Sequence, residues 1–536
     1  MKILHILTLA CGLMLFAGCT NLDEEIYDQL TAEKYFENFS EDDIPGAIGA
    51  VYSDLRTLYC GSGAHTGGCW LYTSEESADS WITPSRGGAW YDGGIYQRLN
   101  EHKWKIDDQH FLGNWRRAYS GINTCNRLIY QFESAAMDAD TKSKLMAELH
   151  VARAFWYYIL CDLFGNVPIV TKYDVPDGWL PETSTRQEVF DFIVKEITEN
   201  RSLLSAKGYC RWDYYAATTL LAKVYLNGEA WTGKSYWQEV VDLCDEIINS
   251  KQYSLDSDYK QVFVTENQNS PEIIMAAAND EVYDTNPFLI HLWSHHWNFR
   301  YHQDTITFYW GGCCASPELA NSYDPDDLRF GYSWLEGQLY DNTGELTGIA
   351  GSPIMCDPKD PKDAGKPLVY TRAVPIYNPG KPESQTGEGT GVRMIKYEIK
   401  KKAQWALSND FVIFRYADVL FMKAEALWNK NGKAADATIT GLINDVRRRA
   451  FTDFSGDKVL QPSQLDRDRF LDEYAWEFCQ EGYRRQQLIR FGVFTTMKWW
   501  CHDGVGEDAH LNVFPIPRNE ILSNPKLKQN DGYPTL

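Results

Sequence analysis

The sequence of 536 residues predicts a mainly α-helical fold, a helical-repeat scaffold of about four helical hairpins that long irregular excursions interrupt. Apolar residues recur at the spacing of a helix in paired segments, and small residues lie where the paired helices would cross. Between these segments, residues 60–106 and 283–340 are rich in glycine and aromatic residues and keep no long helical pattern. Because binding residues usually lie on loops that a rigid frame holds, we expect these excursions to carry the ligand surface.

The N-terminus has the pattern of a bacterial lipoprotein signal peptide. A short uncharged apolar run ends in small residues followed by Cys19. The run is shorter than the ~20 residues that span a bilayer, so we expect residues 1–18 to be removed and Cys19 to carry the lipid anchor. Residues 19–40 would then form a lipidated tether and residues 41–536 the folded domain. A membrane-spanning start with an incidental cysteine is the alternative.

The helical scaffold is predicted from four pairs of segments. Small residues such as Ala154, Ala217 and Ala424 lie at the expected crossing points, as in tetratricopeptide-type repeats, although a strict ~34-residue period is not kept. The pairs are 145–163 with 190–197, 216–224 with 240–247, 413–427 with 439–446, and the two halves of 465–491. We assign the helical repeats to about 41–59, 107–250 and 409–492, and a Pro/Gly-rich loop to 357–391.

The two excursions contain the residue types that bind sugars. A pyranose has an apolar face that stacks on an aromatic ring, and hydroxyl groups that pair with charged side chains. We therefore expect a carbohydrate ligand on an aromatic platform formed where the two excursions meet. For each ring, irregular packing over the helical core is the alternative. The candidate ligand residues are Trp81, Arg86, Trp90, Tyr91, Asp92, Trp293, Trp297, Tyr309 and Trp310.

The composition narrows the class of partner. A formal net charge of -22 argues against nucleic acid and flat anionic membranes, since binding phosphates needs concentrated Lys and Arg. Aromatic residues make up 14% of the chain, with 19 Trp, which favours a surface that stacks on its ligand. The 13 cysteines have no regular spacing, so we interpret most of them as small core residues. The adjacent Cys313 and Cys314 could also form a vicinal disulfide.

No motif in the sequence demands an enzyme or a cofactor. His291 and His295 stand at the i, i+4 spacing of zinc ligands, but HExxH and a third ligand at a family spacing are missing, so we predict no metal site. Asp324, Asp326 and Asp327 look like turn and helix-cap residues. Glycoside hydrolysis needs two carboxylates flanking the bond, and 74 acidic residues supply candidates without identifying a pair. A glycoside hydrolase therefore stays an alternative.

The C-terminal third has the most specific motifs. They are FVIFRYADVLFMKAEA at 411–426, NDVR at 444–447, EFCQEGYR at 477–484, LIRFG at 488–492, FPIP at 514–517 and QNDGY at 529–533. Behind the N-terminal lipoprotein pattern, these blocks closely resemble the SusD/RagB family of nutrient-binding outer-membrane lipoproteins of Bacteroidetes. Asp23, Glu24 and Glu25, just after the lipid cysteine, resemble the surface-export signal of such lipoproteins.

The resemblance implies a function as well as a fold. Family members bind glycans without cleaving them, on a tetratricopeptide-like scaffold that caps a TonB-dependent SusC-like transporter. It implies a protein on the cell surface, anchored in the outer membrane, that hands an oligosaccharide to that transporter. A surface scaffold without sugar contact is a further alternative. We expect Arg447, Glu477 and Arg484 to be buried structural partners; Tyr474 and Gln487 depart from the usual Arg and Asp of the family.

Overall fold

A computed structural model describes residues 39–59, 67–86, 89–283, 288–360, 362–376 and 386–535. The predicted signal peptide, Cys19 and nearly all of the tether lie outside these residues. Within them, no helix combines the length and the apolar character needed to cross a membrane.

Helices dominate the described residues, and the strands are short. The helices are α1 (Ile44–Leu55), α2 (Trp70–Glu76), α3 (Ile95–Asn100), α4 (Gln109–Ser134), α5 (Ala139–Leu163), α6 (Arg186–Asn200), α7 (Tyr214–Leu226), α8 (Gly228–Thr232), α9 (Trp237–Ser250), α10 (Ile290–Ser294), α11 (Phe299–Gln303), α12 (Pro317–Ser322), α13 (Leu328–Ser333), α14 (Tyr416–Lys430), α15 (Ala437–Arg447), α16 (Arg467–Phe478), α17 (Arg484–Arg490) and α18 (Arg518–Ser523). The strands are β1 (Trp81–Ile82), β2 (Ile273–Ala277), β3 (Cys314–Ala315), β4 (Trp334–Leu335), β5 (Gly337–Gln338), β6 (Tyr340–Asp341), β7 (Ser352–Pro353), β8 (Val369–Tyr370), β9 (Arg393–Met394) and β10 (Phe411–Arg415).

The long helices pack as the predicted hairpins. Helix α5 lies against α4 and α6, α9 lies against α7 and α14, α14 lies against α15, and α16 lies against α17. Gly121 of α4 lets α4 and α5 approach each other closely, because a Cβ there would lie 2.2 Å from the indole of Trp156 on α5. Ala154, Ala217 and Ala424 are fully buried. The prediction of a mainly helical repeat scaffold is confirmed.

Local sequence signals set where these helices begin. Thr185 caps α6 in a capping box: the carboxylate of Glu188 accepts the Thr185 N–H at 2.7 Å, and the Thr185 hydroxyl accepts the Glu188 N–H at 3.3 Å. Asp213 caps α7 by accepting the Ala216 N–H at 2.7 Å. Asp327 caps α13 in the same way, as its sequence context predicts.

One helix boundary differs from the prediction. Ile413 was expected on a helix but lies in β10, which pairs antiparallel with β2 and places Arg415 opposite Ile273. All five residues of β10 are buried. A short, largely apolar run cannot be distinguished from a buried helix by periodicity alone. The pairing with β2 decides between the two.

A buried ionic network joins the C-terminal blocks to the rest of the chain. The Glu477 carboxylate accepts from Arg415 at 2.7 Å, from Arg449 at 2.9 Å and from Arg329 at 3.1 Å. Arg447 contacts Glu473, and Arg484 pairs with Asp79 at 2.6 Å. Arg447, Glu477 and Arg484 are thus buried structural partners, as predicted.

The departure at Tyr474 has a visible consequence. Its hydroxyl donates to Glu425 at 2.6 Å, and Glu425 is itself paired with Arg490 at 2.7 Å. The tyrosine therefore still links α16 to α14 through a carboxylate.

The cysteines behave as core residues. All ten cysteines among the described residues are free thiols, and eight of them are buried. Cys313 and Cys314 belong to these free thiols, so the vicinal disulfide does not form in this structure. Burial raises the pKa of both thiols, which makes them poor nucleophiles.

Candidate ligand-binding site

A pocket of about 230 Å³ opens where the two predicted excursions meet a third segment of the chain. Pockets for drug-sized ligands usually hold ~300–1,000 Å³. This one therefore holds only part of a longer ligand. Its lining residues are Arg86, Ala89, Trp90, His296, Trp297, Trp310, Gly311, Asp357, Lys359, Asp360 and Glu388.

Three indole rings form the apolar part of the pocket. Trp90 is held in place by a hydrogen bond of 2.7 Å from its Nε1 to the carbonyl oxygen of Trp310. Its ring also covers Gly312, where a Cβ would lie 2.6 Å from the ring carbons. The backbone of Trp90 has a φ of 62°, a left-handed conformation that costs energy for an indole residue. Trp297 and Trp310 are half-buried, so their rings are partly open to a ligand.

The aromatic surface continues outside the pocket. The ring of Trp405 lies 5.7 Å from that of Trp310, and 45% of Trp405 is exposed. Ile306 and Phe308 are exposed on the same excursion, and Ile306 donates its N–H to the Ala403 carbonyl at 2.9 Å. The sequence analysis missed Trp405 because it is a lone tryptophan between the predicted loop and the predicted helix. Trp405 therefore extends the aromatic surface beside Trp310.

Arg86 joins three segments rather than facing the ligand with free donors. Its Nε donates to the Gly312 carbonyl at 3.0 Å, and its Nη1 to Gly387 at 3.1 Å and to the Thr390 hydroxyl at 2.8 Å. Its Nη2 lies 3.3 Å from the Cys314 sulfur. Burial lowers the pKa of Arg86 to about 9, and the nearby charge of Arg393 adds to this. Arg86 lines the pocket, but its hydrogen bonds hold the pocket together, and its contact with a ligand stays a prediction.

The polar wall consists of carboxylates that the sequence analysis did not single out. Glu388 pairs with His296 at 3.0 Å and also accepts the Asp357 N–H at 3.0 Å. Asp360 is 6% exposed and turns one carboxylate oxygen to the N–H groups of Lys362 and Asp363. These residues lie in a stretch that the sequence identifies only as a Pro/Gly-rich loop.

Three predicted platform rings lie in the core instead. Trp81, Trp293 and Tyr309 are all 0% exposed, so the prediction that they contact a ligand is wrong. Trp81 belongs to β1, which pairs with β3, and both Trp81 and Trp293 pack on Tyr72, at 5.6 and 5.4 Å between ring centroids. Tyr309 packs edge-on against Phe299 at 5.1 Å. These rings stabilise the loops from beneath.

Tyr91 and Asp92 lie outside the lining of the pocket. Tyr91 is half-buried against a small apolar cluster that includes Trp499 and Trp500. Asp92 is exposed and accepts a hydrogen bond from Tyr96 at 2.8 Å. Of the two charged candidates, Arg86 lines the pocket and Asp92 does not.

The histidines beside the pocket are structural. His295 stacks on Phe299 at 3.7 Å and bonds to the Met394 carbonyl at 2.8 Å. His291 is buried, and burial lowers its pKa to about 3. Across the described ranges, no group of three or more His, Cys, Asp or Glu side chains is arranged to hold a metal ion.

The fold and the pocket together define a class of protein: a helical-repeat scaffold whose interrupting loops build an aromatic-lined binding site. Two family models match this chain. One, described as the SusD family, matches residues 271–533, and the other, described as "Starch-binding associating with outer membrane", matches residues 73–226. Together they cover most of the chain, including the excursion 283–340 and residues 73–106 of the first excursion.

Individual relatives agree with the family models. The starch-binding protein SusD of Bacteroides thetaiotaomicron is 24% identical over 482 residues, covering 83% of this chain and 82% of the relative. SusD-like protein P25 of Formosa agariphila is 23% identical, with 99% of each chain covered. Surface glycan-binding protein A of Bacteroides thetaiotaomicron, solved with laminarihexaose, has a TM-score of 0.69 at 20% identity and covers 92% of this chain and 100% of its own. The chain belongs to the SusD/RagB family, and the resemblance seen in the sequence is confirmed.

Proposed function

We propose that this protein binds an oligosaccharide at its aromatic pocket and delivers it to a SusC-like TonB-dependent transporter, without cleaving it. The observation that carries the proposal is the convergence of Trp90, Trp297 and Trp310 in one pocket with a polar wall. Flat apolar rings beside hydrogen-bonding groups match the two surfaces of a pyranose. The small pocket volume suits one end or one bend of an oligosaccharide, and the rest of that oligosaccharide would lie along Trp405.

Relatives support a sugar as the ligand class. A curated relative is named a starch-binding protein, and a structural neighbour was solved with laminarihexaose. Starch and laminarihexaose differ in linkage, so family membership alone does not choose a glycan for this chain. The lining residues that three separate segments bring to the pocket, such as Trp90, Trp297 and Glu388, would set that choice.

Delivery requires weak binding and a partner. A site of micromolar strength, ~8 kcal/mol, releases its cargo more readily than a nanomolar site. The lipid anchor expected at Cys19 would hold the protein at the outer membrane, facing the cell surface, next to the transporter. We expect this protein and the transporter to co-purify in mild detergent, because the two would enclose the ligand between large contact surfaces. Recovery from native membranes only as an unpartnered monomer would contradict delivery.

Titration calorimetry of the mature protein against a panel of oligosaccharides tests the binding step. Laminarihexaose, maltohexaose, cellohexaose and xylohexaose sample different linkages, and we expect measurable heat with at least one class of glycan. A reducing-end assay on the same samples tests the absence of cleavage. Time-dependent release of reducing ends would favour a glycoside hydrolase, and a flat response across a broad panel would favour a scaffold without sugar contact.

A further inference from the structure

The charged groups of the pocket are arranged unequally, and this arrangement bears on the class of sugar. Three carboxylates line the pocket, those of Asp357, Asp360 and Glu388. The lining cations are Arg86 and Lys359. Which of these groups still has hydrogen-bonding capacity for a ligand decides what the pocket can accept.

Asp360 has an unsatisfied oxygen. Its Oδ1 accepts the N–H groups of Lys362 and Asp363 at 2.7 and 2.6 Å, whereas its Oδ2 is buried and has no hydrogen-bond partner among the described residues. A buried carboxylate oxygen that lacks a donor costs free energy. Asp360 therefore adds a negative charge, rather than a ligand contact, to the wall of the pocket.

Glu388 contributes a second carboxylate oxygen without a hydrogen-bond donor. Its Oε2 receives both the His296 Nε2 and the Asp357 N–H, which leaves Oε1 without a protein donor among the described residues. His296 is neutral here: burial lowers its pKa, and its Nδ1 accepts the Asn298 N–H at 3.1 Å, so the proton is on Nε2. The histidine therefore brings no positive charge to balance the carboxylate.

The buried cations offer an anionic ligand no free N–H donor. The guanidinium of Arg86 is bonded to Gly312, Gly387, Thr390 and the Cys314 sulfur, and Arg393 behind it is bonded to backbone carbonyls. Lys359 is exposed at the rim, and no carboxylate pairs with its ammonium within the described part of the chain. The exposed ammonium of Lys359 is thus the one lining cation whose donors are not bonded to the described part of the protein.

We propose that the pocket selects uncharged, hydroxyl-rich glycans and rejects uronate or sulfate groups, since a neutral sugar can donate a hydrogen bond to the Oε1 of Glu388 whereas the carboxylates of Glu388 and Asp360 repel an anionic group. The inference rests on the proposed function, because it specifies the ligand class of the same pocket. The net charge of -22 acts in the same direction at long range.

Matched glycan pairs test the proposal. Laminarihexaose, cellohexaose and maltohexaose are each compared with the C6-carboxylated or sulfated form of the same chain by calorimetry. We expect at least one neutral member to bind, and its anionic partner to bind at least about tenfold more weakly because of like-charge repulsion. An anionic partner that binds as tightly as its neutral form overturns this proposal alone. No binding by any member, neutral or anionic, rejects the proposed function and this inference with it.

Two variants separate charge from shape. Asp360→Asn keeps the acceptor for Lys362 and Asp363 but removes the negative charge from the pocket wall. We expect it to reduce the affinity ratio between a neutral glycan and its anionic form roughly threefold or more. Asp363→Asn, on the same loop but outside the pocket lining, removes an equal charge. It should leave the affinity ratio between the neutral and the anionic glycan unchanged. Equal effects of both variants would assign discrimination to overall charge and overturn the role of Asp360.

Discussion

The indole nitrogen of Trp90 donates a hydrogen bond of 2.7 Å to the carbonyl oxygen of Trp310, across 220 positions of sequence. This bond joins the two excursions that interrupt the helical scaffold. Because the Trp90 ring also fills the space above Gly312, the pocket wall is already formed before a ligand arrives. A preformed wall reduces the conformational entropy lost on binding, so modest contacts suffice.

The half-buried pocket rings should matter for binding and little for stability. Trp297→Ala and Trp310→Ala each remove a stacking contact of ~0.5–1.5 kcal/mol, so we expect glycan affinity to fall several-fold to more than tenfold. Trp81→Ala is the matched control. It removes a fully buried indole, should cost ~3–5 kcal/mol of unfolding free energy, and should lower the melting temperature. Wild-type glycan affinity in both pocket variants would show that the binding site lies elsewhere on the protein.

Much of the scaffold could be predicted because amphipathic helices carry their own signal. The pairing of α5 with α6 and of α14 with α15 follows from apolar spacing within each segment. The platform could be predicted only in part. Trp81 and Trp90 have the same side chain within one glycine-rich stretch, yet Trp81 is buried by the pairing of β1 with β3, a contact between distant segments. Local pattern holds no information about that pairing.

The polar wall escaped the sequence analysis for a related reason. Asp357, Asp360 and Glu388 lie in a loop without periodicity, in a chain with 74 acidic residues. Their significance comes from the backbone N–H groups and the histidine that orient them, and loop geometry brings these groups together. Ile413 shows the same limit for secondary structure, because only its partner strand identifies it as β.

Gly312 offers a test of the pocket without altering any ring. In Gly312→Ala the new Cβ would lie 2.6 Å from the Trp90 indole, which must move. We expect glycan affinity to fall several-fold, since the contact surface that Trp90 presents is displaced. Gly441→Ala, in the middle of α15 with nothing within 4 Å, is the matched control and should stabilise the protein by ~0.5–1 kcal/mol without changing binding. Wild-type affinity for Gly312→Ala would argue against a fixed Trp90.

The buried ionic network should respond strongly to the loss of its central carboxylate. Burial acts to raise the pKa of Glu477, but the guanidiniums of Arg449, Arg415 and Arg329 hold it well below its usual range. In Glu477→Gln these cations lose their shared counter-charge. We expect the free energy of unfolding, measured by chemical denaturation, to fall by ~3–5 kcal/mol. Asp140→Asn, which removes a solvent-exposed i,i+4 partner of Lys144, should have no resolvable effect. Equal midpoints for both variants would refute a stabilising network.

The anchor prediction comes from the sequence alone. Cys19→Ala removes the thiol that would carry the lipid, so we expect the variant to lose lipid attachment and to be released in soluble form or retain its leader. Labelling cells with a clickable fatty acid, followed by recovery of the protein, measures this directly. Cys501→Ala is the control, because Cys501 is a free thiol within the folded domain. Label that persists in the Cys19 variant would exclude this residue as the attachment site.

Glu75 should make the stability of the protein depend on pH near neutrality. Burial raises the pKa of Glu75 from its ordinary value near 4.5 to about 7, although Ser80, Gly482, Lys396 and Arg484 act in the opposite direction. The folded state therefore keeps a proton that the unfolded chain releases at lower pH. The contribution of Glu75 to unfolding free energy is complete below about pH 4.5 and is lost as the pH rises through about 7.

Glu75→Gln mimics the protonated carboxyl at every pH and removes this dependence. Between about pH 5 and about pH 8, we expect the free energy of unfolding of the variant to rise by ~3 kcal/mol relative to that of wild type. Denaturant unfolding at both pH values measures this difference. The exposed Glu345→Gln is the control and should show the same pH dependence as wild type. If Glu75→Gln and wild type lose stability in parallel over this range, Glu75 is already ionised in the folded protein and the Gly482 N–H, 2.6 Å from its Oε1, is sufficient to hold the charge.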